Sequence, residues 1–257
     1  MIFLLGGNGF VGSGFARELE RAGRPFEIIT RQNYDQFVGR SCELFINANG
    51  NSSKLLGRTD PKAEFRASVL SVRDSLVDFS FATYLFLSTS DVYPDASSAE
   101  LTDEASNIDI AAQSAYGFHK YLAEHCVRHA APRWLVIRQG GFVGPGMKKN
   151  AVYDVLHGEK AWVHPDTRFQ YIHTDNSARS CLNLLEQGAF NDVYNLTARG
   201  TISVREVMQL SGRTVPTPKD IAPMTFEIST AKAERRVALP TTHDCVRRYL
   251  AEECRLA

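Results

Sequence analysis

Short apolar runs and stretches of helical periodicity take turns along the first part of the chain. MIFLL is apolar throughout; after a glycine-rich turn it gives way to FVGSGFARELERAG, whose apolar positions recur at helical spacing up to a stop at Gly23. PFEIIT, ELFINAN, YLFLST and WLVIRQ follow as further runs, each apolar enough to be buried on both faces. Between them the clearest helical patterns cover residues 61–79, with Pro61 at the first position, and 113–130. Strands that alternate with helices require parallel crossovers, so the pattern predicts an α/β protein built on a doubly wound parallel sheet.

Beyond VGPG at 143–146 the regularity weakens. A short helix near 149–157, a strand near 169–173, a helix over 176–187, a VYNL strand at 193–196 and a closing helix over 243–254 are expected. These predict a sheet domain over residues 1–146 and a small C-terminal lobe over 147–257, with elements at about 171–187 returning to the sheet. With no internal repeat, low-complexity tract or long linker, the lobe should pack on the sheet domain.

Charge and cysteine content narrow the function classes. Among 257 residues, Lys plus Arg and Asp plus Glu both number 29, so the net charge is +0 and nothing in the global field favours nucleic acid. Five cysteines, an odd number without a C-x-x-C pair, argue against a disulfide framework and a zinc site and read as reduced, cytoplasmic thiols. The opening MIFLL is too short for a signal-peptide core or a membrane span, so no membrane partner is expected. His157, His164 and His173 lie in unrelated elements without the spacing of a metal site.

GGNGFVGSG places Gly6, Gly9 and Gly12 directly after a predicted strand and at the start of a predicted helix. A phosphate must approach backbone N–H groups at a helix N-terminus, and glycines permit the tight turn and close approach that a Cβ would block. In this setting Gly6, Gly9, Phe10 and Gly12 are candidate cofactor contacts, and the sheet domain reads as a dinucleotide-binding Rossmann fold. At the end of the second strand, IITRQN carries neutral Thr30 and cationic Arg31 where an NAD site usually carries an acid. NADP is favoured, because a 2′-phosphate would find a charge partner there. A solvent-facing Arg31, with Asp35 reaching a ribose, would leave NAD open.

AYGFHKYLAE spaces Tyr116 and Lys120 one helical turn apart. By itself the pair could be an ordinary solvated helix face. Carbonyl reduction, however, needs a proton donor to the developing alkoxide, and a free tyrosine, with pKa near 10, shares its proton poorly at neutral pH. A neighbouring ammonium lowers that barrier, and LSTSDVYPD at the end of the fourth strand offers hydroxyls to hold a substrate oxygen.

With the glycine loop, STSDVY and YGFHK in this order, the chain resembles the extended short-chain dehydrogenase/reductase family of nucleotide-sugar epimerases, dehydratases and reductases. LFINANG, RQGGFVGPG, FQYIHTD and VYNLTARGTISVREV fit that family's layout, so the resemblance covers most of the chain. It implies that Thr89 holds the substrate oxygen, that Tyr116 is the acid/base, and that Lys120 depresses the tyrosine pKa and binds the nicotinamide ribose. Asp91 stands where related dehydratases and decarboxylases carry a Glu that assists proton removal, although an Asp before Pro94 also suits a turn cap. The resemblance also implies a nucleotide sugar as substrate and a homodimer packed through the helix at 113–130.

Departures bear on the substrate. Ser68 replaces the usual Asn, Gly141 replaces an Asn that in many relatives contacts the sugar diphosphate, and Phe169 replaces an Arg, with Arg168 next door as a substitute. Arg31 favours a net reductase that consumes NADPH. The resemblance equally allows an epimerase or dehydratase whose tightly held NAD takes up and returns the same hydride. A non-catalytic dinucleotide sensor is a third reading, and the retention of Thr89, Tyr116 and Lys120 together counts against it.

Overall fold

Each apolar run read from the sequence becomes a strand in the computed structural model, which describes residues 1–50 and 55–256. In chain order the strands are β1 (Ile2–Leu5), β2 (Phe26–Ile29), β3 (Ser41–Asn47), β4 (Ser80–Thr89), β5 (Trp134–Gln139), β6 (Gly141–Val143), β7 (Arg168–Phe169), β8 (Tyr171–His173), β9 (Asp192–Leu196), β10 (Ile202–Ser203) and β11 (Thr225–Phe226). The helices are α1 (Gly12–Arg21), α2 (Tyr34–Phe37), α3 (Leu56–Thr59), α4 (Pro61–Phe65), α5 (Ser71–Asp78), α6 (Ala115–Ala130), α7 (Ala151–His157), α8 (Thr174–Glu186), α9 (Val204–Ser211), α10 (Ala231–Glu234) and α11 (Thr242–Leu256).

Six strands form one parallel sheet in the order β2-β1-β3-β4-β5-β9. Side chains alternate between its faces. Ile2 and Leu4 of β1 enter a core with Phe15 and Leu19 of α1, Ala178 and Leu182 of α8, and Val246 and Tyr249 of α11. Phe3 and Leu5 enter a second core with Val72 and Leu76 of α5 and Ala123 and Val127 of α6. Burial on both faces explains why these strands read as unbroken apolar runs.

Three expectations need adjustment. The helix at 61–79 is one continuous helical run, but a π-helical turn over Arg66–Leu70 separates α4 from α5. The strand near 169–173 divides at Gln170: β7 pairs with β10 and β11, whereas β8 pairs with β6. VYNL, placed in the small lobe by the sequence reading, lies in β9, which adds to β5 in register from Leu135 opposite Asp192 to Gln139 opposite Leu196. Its docking satisfies the backbone edge that β5 would otherwise expose.

Helix α8 packs on α1, where Gly14 has no room for a Cβ against the Thr174 backbone. The closing helix α11 is held to the end of β8 by buried His173, whose Nε2 lies 3.0 Å from a Glu252 carboxylate oxygen, and by Arg248, which donates to Asp175 at 2.7 Å. No helix among the described residues is long and apolar enough to cross a membrane.

Candidate active site

The strand order reverses between β1 and β3, and an open parallel sheet takes ligands in the crevice outside the carboxyl ends at such a point. Gly6 follows β1 with φ +82°, a left-handed conformation that glycine enters without penalty, and its amide donates to the Ile29 carbonyl at 3.0 Å. The Gly9 amide donates back to the Gly6 carbonyl at 2.9 Å, and a Cβ on Gly12 would overlap that same carbonyl. The loop is thereby folded tightly under the N-terminus of α1, which presents its positive dipole end to the crevice. The Phe10 and Val11 amides have no acceptor among the described residues. Close backbone, no side chain in the way and free donors fit the pyrophosphate of a dinucleotide. The Phe10 ring stands edge-on to Phe142, 6.3 Å between centroids.

At the end of β2 the Thr30 amide and hydroxyl both donate to the Asn33 Oδ1 atom, at 2.6 and 3.2 Å, while Asn33 Nδ2 donates to the Ile28 carbonyl at 3.0 Å. Asn33, not singled out in the sequence, thus shapes the loop that carries Arg31, whose side chain is exposed.

The carboxyl end of β4 supplies Thr89. Its hydroxyl donates to the Asp91 carboxylate at 3.1 Å and accepts from the Asp91 amide at 3.2 Å, and it acts to lower the pKa of the neighbouring Tyr116 phenol. Helix α6 brings Tyr116 to this point. Ser114 caps the helix by accepting from the Gly117 amide at 3.1 Å, and a Cβ on Gly117 would overlap the Asp91 carbonyl. Only glycine lets the first turn of α6 rest on that backbone. Burial, reinforced by the Asp91 charge, pushes the Tyr116 phenol above its ordinary value.

Lys120, 4% exposed, lies one turn further along α6. Its Nζ donates to the Leu87 carbonyl at 2.7 Å and stands 4.2 Å from the centre of the Phe86 ring. Burial pulls its pKa down to about 8, against the opposing charges of Glu124 and Glu64. The segment after β3 joins this lysine to the glycine loop. A Cβ on Gly6 would stand 2.9 Å from the Asn49 amide nitrogen, and one on Gly50 only 3.7 Å from Lys120 Nζ.

Two buried groups were not foreseen. Glu124, fully buried, takes a bidentate pair of hydrogen bonds from Arg138 at 3.1 and 2.9 Å and a third from Ser88 at 2.5 Å. Arg138 also donates to the Tyr93 hydroxyl at 2.9 Å, and Tyr93 to Asn195 at 2.9 Å, so the network ties β4, α6, β5 and β9 together behind Lys120. The sequence carried two signals for it, an arginine inside apolar WLVIRQ and a glutamate one turn past Lys120. The second group is Glu64, also fully buried, which accepts from Ser68 and contacts His119. The His119 ring nitrogen is committed to this carboxylate.

A model of the NAD dependent epimerase/dehydratase family matches residues 2–197. The chain belongs to that family. A search of curated proteins found no match. Among solved structures, a UDP-galactose 4-epimerase is 18% identical with a TM-score of 0.81, each chain covered to 99%. The dTDP-4-dehydrorhamnose reductase of Bacillus anthracis, in complex with NADP, is 15% identical with a TM-score of 0.81, covering 98% of this chain and 97% of that one. The dTDP-glucose 4,6-dehydratase of the same organism, in complex with NAD, is 15% identical with a TM-score of 0.74, covering 99% and 96%. At these identities the likeness establishes the fold of this epimerase/dehydratase family member: a Rossmann-type sheet with flanking helices.

The family member's departures now have a physical setting. A Cβ on Gly141 would lie 2.6 Å from the Gln170 carbonyl and 2.8 Å from the Tyr171 ring, so β6 passes too close to β8 to carry a side chain there. Arg168, next door to Phe169, is tied to other residues. It donates to the Thr201 hydroxyl at 2.9 Å and the Thr201 carbonyl at 3.1 Å and pairs with Glu206 at 3.1 Å. Phe169 instead stacks on Phe226 with centroids 5.2 Å apart. Among the described residues no cluster of His, Cys, Asp and Glu could hold a metal ion.

Proposed function

We propose that this chain is an NAD(P)-dependent oxidoreductase that moves a hydride to or from a keto or hydroxy carbon of a nucleotide-linked sugar, with NADP preferred and net reduction the working direction. One observation carries the reading: Thr89, Tyr116 and Lys120 converge at the end of β4, and the segment after β3 connects them to a glycine cradle. When bound, the nicotinamide supplies or takes up the hydride, and its oxidised ring adds a positive charge that favours the Tyr116 phenolate.

The protein's own groups handle the proton and the orientation. Gly6, Gly9, Phe10 and Gly12 would hold the pyrophosphate, and Thr30 and Arg31 would meet the adenosine ribose and its 2′-phosphate. Thr89 holds the substrate oxygen. Tyr116, kept protonated by burial, gives its proton to that oxygen as negative charge develops and reclaims it in the reverse direction. Lys120 holds the nicotinamide ribose and, while charged, favours the phenolate.

A nucleotide sugar is supported by the names of the structural neighbours, which include UDP-galactose and dTDP-sugar enzymes. Gly141 offers no side chain and Arg168 is tied to Thr201, so we assign the nucleotide sugar's diphosphate contacts to other residues, chiefly of the small lobe over 147–257. Five free thiols suit a reducing cytoplasm. Exposed Leu70 and Val77 on the 61–79 run and Phe118 on α6 support a homodimer through these helices.

A second reading, an epimerase or dehydratase, draws on Asp91. Its carboxylate lies on the Thr89 hydroxyl and its charge is felt at Tyr116, so a second acid/base stands beside the substrate oxygen. Replacing Tyr116 with Phe tests catalysis in either reading. Hydride transfer with keto sugars should fall by about 100-fold or more while NADP(H) affinity stays near the wild-type value. Unchanged biological activity in that variant would favour a dinucleotide sensor instead.

A further inference from the structure

Glu64 is a fully buried carboxylate whose charge is felt at both Tyr116 and Lys120 and which the proposed mechanism leaves unused. It sits in the last turn of α4, a helix started by Asp60, whose carboxylate accepts from the Ala63 amide at 2.9 Å, and by Pro61. Both of its oxygens are engaged. Ser68, in the π-helical turn that follows, donates to one, and His119 Nδ1 contacts the other. A π-helical turn inserted in a helix is often found at functional sites. Here it lies directly after α4 and carries the serine that meets Glu64.

His119 occupies the position between the two reacting groups of α6, three residues after Tyr116 and one before Lys120. Its ring packs edge-on against Phe65, 5.2 Å between centroids, and it lines an open groove of about 300 Å³ with Pro61, Lys62, Phe65, Arg66 and Leu70. Glu64 is therefore linked through His119, whose side chain is 12% exposed and lines the groove, to the helix that carries the active-site pair. A buried carboxylate is costly unless a partner compensates it.

We infer that Glu64 and His119 are positioning residues for the Tyr116–Lys120 couple, fixing the charge behind it and so the pH range over which the couple works. The inference rests on the roles given to Tyr116 and Lys120 above. The Glu64 charge disfavours the Tyr116 phenolate and favours the Lys120 ammonium, opposing the burial that strips Lys120 of its proton. The other charges facing the couple are Asp91, after β4, at Tyr116, and Glu124, one turn along α6, at Lys120. The cations on α4 and on elements packed against it include Lys62 of α4 itself, Arg58 of α3, Arg66 of the π-helical turn and, in the last turn of α6, Arg128.

The test is the titration of Lys120 followed by ¹³C NMR of lysine ε-carbons, assigned with Lys120→Arg, in wild type and Glu64→Gln. Glutamine keeps the shape of Glu64 and an acceptor for the Ser68 hydroxyl, offers His119 Nδ1 an N–H donor in place of the second oxygen, and removes the charge. The wild-type midpoint, about 8, should move to lower pH. If the folded variant titrates at the wild-type midpoint, the pair is structural packing and the inference is wrong. Should Glu64→Gln not fold, the double replacement Glu64→Met with His119→Leu removes the pair as a unit, which cores tolerate better. The same downward shift is expected, and an unmoved midpoint overturns the inference. Because this titration uses neither substrate nor cofactor, its failure is separate from a failure of the oxidoreductase reading. The pH dependence of NADP(H) affinity in the same variants reads the functional consequence: affinity should weaken at lower pH than in wild type.

Discussion

At Gly117 the first turn of α6 rests on the Asp91 carbonyl, and a single added methyl would lift it. Gly117→Ala should therefore separate Tyr116 from Thr89. A displacement of this kind, about 1 Å, typically costs about 100-fold in turnover. The expected result is a large fall in kcat with cofactor binding retained and melting temperature lowered by a few degrees; wild-type turnover in a folded Gly117→Ala protein would show that this packing does not position the tyrosine. YGFHK declared its tyrosine and lysine in the sequence, because their spacing follows helix geometry. The need for glycine between them was not legible, since it depends on a carbonyl delivered by another loop. Glu64 was hidden for the same reason: its role exists only where α4 meets α6.

At the scale of elements, the apolar runs became strands because both of their faces are covered, and their identity needed no long-range information. The reading failed where tertiary contacts decide. One expected strand divides at Gln170 because β7 pairs with β10 and β11 and β8 with β6, while the Gln170 side chain accepts from the Ile228 amide at 2.7 Å and donates to its carbonyl at 3.2 Å. The buried Arg138–Glu124 pair is the clearest inter-element tie, with side chains 3% and 0% exposed. Removing one partner, as in Arg138→Met, leaves a buried uncompensated carboxylate and should cost about 3–5 kcal/mol in urea denaturation. Replacing both with apolar residues should recover much of that loss. Equal stability of Arg138→Met and wild type would mean that the pair contributes nothing to holding α6 on the sheet.

Across the whole molecule, the sheet order and its reversal between β1 and β3 bring into one crevice the glycine loop, the end of β4 and the start of α6. The fold class was legible from alternation alone. The edges of the small lobe were not, because β9 is recruited by the open edge of β5 and α11 by His173 and Asp175, partners far away in sequence. Cofactor choice, by contrast, hangs on the exposed Arg31 and its loop. The purified protein should be denatured, any released nucleotide identified, and the emptied protein titrated with NADP and NAD in parallel, with Arg31→Ala as a companion. Freely exchanging NADP(H), bound about tenfold or more tightly than NAD and losing that preference in Arg31→Ala, is the expected result. Co-purifying NAD that resists exchange would contradict the NADP-dependent reductase and favour an epimerase or dehydratase.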